Sequence, residues 1–248
     1  MQICLISSAS VYTDAALHSL LRHPDIKITS LVECTAIDGT QGNWRAYKKL
    51  ISRSGPIYTG YLGAVTKPAC RLPHVPKWKA MPVWSHSLNC PILRTNDVSS
   101  KTTLDFLEGC KPDIFLSVHL GQILRVKFYE RFGGKTYNIH PGKLPIFKGP
   151  DPVFDAIMDD EKSFTVSLHE SIQKIDSGLV LAEQRIVPQK RTLFRTNLEL
   201  FSKTGNLVAS HFLNKSDCLP TEDDRPARYR SWPTNRDVLK FLGRGNRL

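Results

Sequence analysis

Residues 2–7, Gln-Ile-Cys-Leu-Ile-Ser, and residues 112–118, Pro-Asp-Ile-Phe-Leu-Ser-Val, are nearly continuous apolar runs. A strand that is apolar on both faces has to be covered on both, which is the condition of a parallel sheet wrapped by helices. The order of elements agrees. Ala16, Leu17, Leu20 and Leu21 fall at helical spacing after the first run, and residues 27–33 alternate into a second strand. Strand, helix, strand predicts a doubly wound, mostly parallel α/β sheet. The turn after the first strand is Ser7-Ser8-Ala9-Ser10, without a G-x-G-x-x-G pattern, so a dinucleotide site is not expected.

Further strands are expected at 91–94, 136–140, 164–169 and 179–187, and helices at 100–107, 151–158, 192–213 and 235–242. The helix over 192–213 has Leu193, Leu198, Leu200, Phe201, Leu207 and Val208 as its expected buried face. Residues 36–88 differ. They hold Gly39, Gly42, Gly55, Gly60, Gly63, Pro56, Pro68, Pro73, Pro76 and Pro82, with short helix-capable pieces such as 44–52. This stretch reads as an insertion or a long loop excursion, and such loops are usually functional or mobile. The expected organisation is one α/β domain over 1–190, with 36–88 as its insertion, and a C-terminal helix with a small appended region over 191–248.

The formal charge is +11 with a sequence pI near 9.5. An anionic partner and a generally basic, solvated surface both explain it. Cys4, Cys34, Cys70, Cys90, Cys110 and Cys218 form no C-x-x-C pair, and all six read as reduced thiols of a cytoplasmic protein. The first residues read as a strand and not as a signal peptide. No apolar stretch approaches the ~20 residues of a membrane span. His18, His23, His74, His86 and His211 have no partner pattern, and no pair has metal-ligand spacing, so no metal is expected.

The chemistry concentrates in Asn138-Ile139-His140-Pro141-Gly142-Lys143-Leu144-Pro145 and in Ile175-Asp176-Ser177-Gly178. Asn138 and His140 are two apart, so at a strand end both side chains point the same way. Taken singly, Asn138 reads as a cap, His140 as a satisfied structural histidine and Asp176 as a turn former beside Gly178. Together they supply a carboxamide, an imidazole and a carboxylate, which suffice for acyl transfer to an amine. His169 either faces this site or sits in the core.

Asn-x-His-Pro, then Leu144-Pro145 with Gly149 and Pro152 downstream, then Ile-Asp-x-Gly resembles the folate-dependent formyltransferases over roughly residues 88–187. That family includes methionyl-tRNA, glycinamide ribonucleotide and sugar-nucleotide N-formyltransferases. The resemblance implies a Rossmann-like, formyltransferase-type fold with a small C-terminal appendage, and Asn138, His140 and Asp176 as the catalytic trio. It implies 10-formyltetrahydrofolate as formyl donor, with Leu120, Gly121, Gln122 and Ile123 as candidate folate contacts, and an acceptor-side role for 36–88. One residue departs: many members carry Ser after His-Pro, where this chain has Gly142, which bears on loop or acceptor contacts and leaves the trio intact. The tail Tyr229-Arg-Ser-Trp-Pro-Thr234 has a counterpart in some members but is too short for the barrel of the tRNA-acting ones.

The implied enzyme is a cytoplasmic N-formyltransferase acting on a small, phosphate-bearing primary amine, with an amino sugar on a nucleotide as the expected acceptor. Glycinamide ribonucleotide is disfavoured by the absence of a Gly-rich turn after the first strand. Methionyl-tRNA is disfavoured by the short C-terminal region, although +11 argues the other way. A 10-formyltetrahydrofolate hydrolase and a non-catalytic binding module are the rival classes. A membrane partner is not expected, a nucleic acid is not favoured, and a homodimer stays open.

Overall fold

The structure is a computed structural model, and it describes residues 1–35, 43–66, 77–214 and 218–248. Its centre is β1 (Gln2–Ser7), whose Ile3 and Leu5 face one way and Cys4 and Ile6 the other, all fully buried. β2 (Lys27–Cys34), β3 (Ile92–Thr95), β4 (Ile114–Val118) and β5 (Thr136–His140) run parallel with it. β6 (Phe164–Glu170) and β7 (Val180–Ile186) then add antiparallel, giving the order β3-β2-β1-β4-β5-β6-β7. This is the doubly wound, mostly parallel sheet that two-sided burial requires. The chain switches direction between β1 and β4, so the crevice beyond their carboxyl ends is the expected ligand side.

Two cores cover the sheet. On the Ile3 and Leu5 side lie α1 (Val11–Leu20), α7 (Leu193–Phe201) and α8 (Thr204–Leu213), contributing Leu17, Leu200, Phe201 and Leu207. On the Cys4 and Ile6 side lie α4 (Lys101–Cys110) and α5 (Val126–Phe132), contributing Leu104, Leu107 and Phe128. The helix starts are written locally. Ser10 and Ser100 accept hydrogen bonds from Thr13 N and Thr103 N, and Asp151 accepts from Phe154 N ahead of Pro152, the first residue of α6 (Pro152–Met158). The amphipathic stretch 192–213 is two helices, broken at Ser202–Lys203. Residues 193–241 share the first core with β1, since Leu193, Val208, Val238 and Phe241 belong to it.

The reading of 36–88 as largely loop needs correction where the stretch is described. α2 (Asn43–Thr66) is two helical pieces joined at Gly55, whose φ of 78° permits the break, and α3 (Met81–Leu88) follows. Pro56 and Pro82 open helical turns, where the missing N–H costs nothing, so they mark starts and not loops. The break in α2 is clamped from outside. Arg53 Nε donates to Trp232 O at 3.0 Å and Ser54 Oγ to Pro233 O at 2.6 Å, just ahead of α9 (Asn235–Gly243). A Cβ at position 55 would lie 2.0 Å from Asn235 Oδ1. Residues 36–42 and 67–76, part of the same expectation, lie outside the described residues.

Candidate active site

Asn138 sits in the middle of β5, directly opposite Ser117 on β4 and His169 on β6. Cross-strand neighbours on one face meet, and here they form a chain of hydrogen bonds. Ser117 Oγ donates to Asn138 Oδ1 at 2.6 Å, and Asn138 Nδ2 lies 3.0 Å from His169 Nε2. His169 Nδ1 lies 2.7 Å from the carbonyl of Glu170, which only accepts, so Nδ1 carries the proton and Nε2 accepts from Asn138. Burial pushes His169 down to about 4, and the neighbouring His140 pushes the same way, so the ring is neutral near pH 7. The carboxamide is thereby held at both ends, with one of its two N–H groups committed. His169 belongs to the site, which resolves the alternative left open by the sequence.

His140 ends β5, two residues on, and is almost enclosed. Its Nε2 donates to Phe147 O at 2.7 Å, so Nδ1 is the nitrogen free for chemistry, and it faces Asp176 Oδ1 at 3.6 Å. Asp176 Oδ1 also lies 3.9 Å from His169 Nε2, while Oδ2 accepts from Gly149 N at 2.9 Å. Asp176 joins this cluster from the connection between β6 and β7. Asp176 itself takes the left-handed conformation there, with φ of 47°. Gly178, two residues on, is required sterically: a Cβ on it would lie 1.9 Å from Glu170 O. The structure therefore brings the three side chains together, with the His140–Asp176 separation longer than a hydrogen bond.

Gly142 has a comparable steric account. A Cβ there would meet Pro152 Cβ at 2.7 Å and both His140 Nε2 and Phe147 O at 3.0 Å, so the closure of Phe147 O onto His140 leaves no comfortable room for a side chain. The loop also contains a cis peptide bond at Leu144–Pro145.

The four candidate folate contacts follow β4. Gly121 N donates to Ser8 Oγ at 3.0 Å, and Gln122 is engaged with Val98 N at 2.7 Å and Asn96 O at 3.1 Å, so its side chain holds the 96–98 turn. Leu120 packs against the second core, and Ile123 is 61% exposed. Ile172, Ile175 and Leu179, around Asp176, are exposed apolar residues, and of these only Ile175 falls within the motif read from the sequence. Among the described residues no group of three or more His, Cys, Asp or Glu is arranged to hold a metal ion, and no helix is long and apolar enough to cross a membrane.

Residues 73–193 match the formyl transferase family. Methionyl-tRNA formyltransferase of Kosmotoga olearia is 25% identical over 153 residues, covering 60% of this chain and 49% of that one. The chain spans less than half the length of the curated relatives it matches. In fold, it resembles phosphoribosylglycinamide formyltransferase from Anaplasma phagocytophilum, with TM-score 0.60 and 16% identity over 91% of this chain and 96% of that one. It also resembles the sugar 3N-formyl transferase WlaRD, solved with dTDP and 5-N-formyl-THF, with TM-score 0.53 and 16% identity over 94% and 70%. Asn138, His140, His169 and Asp176 all lie within the stretch that matches the formyl transferase family.

Proposed function

We propose that this protein transfers a formyl group from 10-formyltetrahydrofolate to the primary amine of an amino sugar carried on a nucleotide. The observation that carries the formyl-transfer reading is the assembled trio: Asn138 anchored by Ser117 and His169, and His140 Nδ1 turned toward Asp176. The donor is a substrate, and it supplies an activated one-carbon acyl group on nitrogen. The acceptor amine forms a bond to the formyl carbon, the bond from that carbon to the folate nitrogen breaks, and the amine proton ends on that nitrogen. Negative charge develops on the formyl oxygen, and the uncommitted N–H of Asn138 is a neutral donor for it; losing one such donor typically costs ~10²–10³ in rate. Asp176 receives the amine proton, and His140 stabilises the developing charge or relays the proton.

The sugar-nucleotide assignment rests on the likeness to WlaRD over most of both chains and on the serine-rich turn after β1, which lacks glycine. A second reading has one specific observation in its favour. Residues 39–96 contain nine Lys or Arg and no Asp or Glu. Within them the first piece of α2 exposes Trp44, Arg45, Lys48, Lys49 and Arg53, a surface suited to a polyphosphate such as tRNA. Incubation with 10-formyltetrahydrofolate and a panel of amines separates the classes. Acceptor-dependent loss of the formyl group supports a transferase, and the amine that supports it names the acceptor. Acceptor-independent formate release means a hydrolase, and binding without turnover overturns the enzymatic reading.

A further inference from the structure

Neither His140 nor Asp176 is held only by side chains. Phe147 O takes the Nε2 proton of His140, and Gly149 N donates to Asp176 Oδ2, so two backbone atoms of one short loop set the pair. Whatever fixes residues 147 and 149 fixes the catalytic geometry.

The C-terminal chain between α8 and α9 does this. At one end of the loop, Lys143 Nζ reaches Glu183 Oε2 at 2.5 Å and Thr221 Oγ1 at 2.7 Å, and Thr221 N also donates to Glu183 Oε2 at 3.0 Å. At the other end the main chains pair directly. Arg228 N donates to Pro145 O at 3.3 Å, Lys148 N to Arg228 O at 3.0 Å, and Arg230 N to Lys148 O at 3.1 Å. The backbones are so close that a Cβ on Gly149 would lie 1.9 Å from Arg230 O. The guanidinium groups of Arg225 and Arg228 stand 5.9 and 5.7 Å from the Phe147 ring, within cation–π range. The strap is locked down in turn by ion pairs to α6 and the residues after it. Arg228 pairs with Asp159, Arg230 with Asp155 and Asp159 at 3.2 Å each, and Arg225 with Glu161.

We infer that the strap Arg225–Arg230 is a positioning element for the His140–Asp176 pair, acting through Phe147 O and Gly149 N, with Arg228 and Arg230 as its anchoring side chains. It touches no reacting atom. Its ion pairs are partly exposed, and singly each is worth little. Their value lies in holding a main-chain pairing that would otherwise fray, since a short irregular segment with solvent-exposed hydrogen bonds opens at low free energy. An error on the order of 1 Å at the reacting groups is enough to cost ~10²-fold in turnover.

The kinetic part rests on the formyl-transfer reading, so the test includes a measurement that does not. The full-length Arg228→Ala/Arg230→Ala double variant is compared with Arg228→Lys/Arg230→Lys and with wild type, by hydrogen exchange at the Gly149 amide and by kcat and KM for the formyl donor. In the alanine pair, Gly149 is expected to exchange roughly tenfold faster while β1 and β4 amides keep their protection. Its kcat is expected to fall by on the order of 10²-fold with KM moving less than about threefold. The lysine pair should recover part of both. A folded alanine pair with unchanged Gly149 exchange overturns the inference, as does faster exchange with wild-type kcat. Should the double variant fail to fold, Arg230→Gln gives the same decision. Should wild type show no transfer at all, the functional reading fails, while Gly149 exchange still decides whether the strap holds the loop.

Discussion

Of the chain's 34 Lys and Arg and 23 Asp and Glu, residues 39–96 hold nine of the former and none of the latter, leaving 25 against 23 elsewhere. The contrast with the site region is sharp. Around β5, β6 and the loop between His140 and Asp176, charges are paired and donors are matched: Lys143 with Glu183, Arg230 with Asp155, Asn138 with Ser117 and His169. One region places matched groups, while the other concentrates the excess positive charge of the chain. The net charge of +11 therefore comes largely from one stretch of the sequence. Position-dependent catalysis should respond to single substitutions and little to salt. A field made of several exposed cations should do the reverse.

The sharpest way to break this contrast is to remove the placed groups. His140→Asn and Asp176→Asn should each lower kcat by at least ~10³ while folate affinity stays within a few-fold, because both act on charge that develops during reaction. Asp176→Asn keeps the shape and can still accept from Gly149 N. Near-normal turnover in either folded variant removes that residue from the mechanism.

His169 comes next. Its neutral Nε2 accepts from Asn138, and Oδ1 of Asn138 is separately held by Ser117, so losing the imidazole frees one end of the carboxamide and not both. His169→Ala should cost ~10² in kcat, less than loss of an acting group, with modest change in KM. A loss as large as that of His140 would mean that His169 itself moves a proton, against the neutral state that its burial enforces.

How much of this was readable depends on whether the information lies in side chains. Strands β1 and β4 are legible because apolar residues on both faces leave few other fates. Asn138, His140 and Asp176 are legible as a motif, since each contributes a functional group of its own. Phe147 and Gly149 contribute a carbonyl and an N–H, which every residue has, so no residue type marks them. Asp176 reads as a turn former and does take the left-handed conformation, whereas the role of Gly178 in making room for Glu170 O depends on a backbone approach that no residue type announces. In α2, the Gly and Pro content reads as loop, whereas Gly55 only breaks a helix that resumes at once, and tertiary clamping by Trp232 and Pro233 overrides local propensity.

The field region is tested by charge and salt together. Arg45→Gln/Lys48→Gln/Lys49→Gln should raise the acceptor KM a few-fold at low salt, leave kcat alone, and flatten the salt dependence of KM. For one or two phosphates the wild-type KM should itself rise only a few-fold from low to physiological salt. A slope of many phosphate contacts would support the tRNA reading instead. An acceptor KM indifferent to both salt and substitution would point to an uncharged amine and overturn the nucleotide assignment.

The smallest effect is expected at the seam where the regions meet. Tyr58 of α2 donates to the carboxyl of Asp151, which caps α6 close to the catalytic loop. Burial pushes Asp151 up to about 7 from an ordinary 3.8, and Asp155 beside it is pushed up to about 6 by the same cause. In the folded protein Asp151 therefore keeps its proton between pH 4 and 7, where the unfolded chain has released it. The folded state binds more protons in that window, so this contribution to stability is fully present below about pH 4 and is lost as pH rises through about 7. Asp151→Asn removes the titration while the amide oxygen can still accept from Phe154 N and the amide NH2 can donate to the Tyr58 hydroxyl. It should leave the melting temperature nearly unchanged at pH 4 and raise it progressively between pH 4 and 7, by a few degrees at pH 8, with Asp155 supplying the residual slope below pH 6. Melting temperatures of the variant and wild type that stay parallel from pH 4 to 8 would show that Asp151 does not keep its proton in the fold and that Tyr58 donates to a carboxylate.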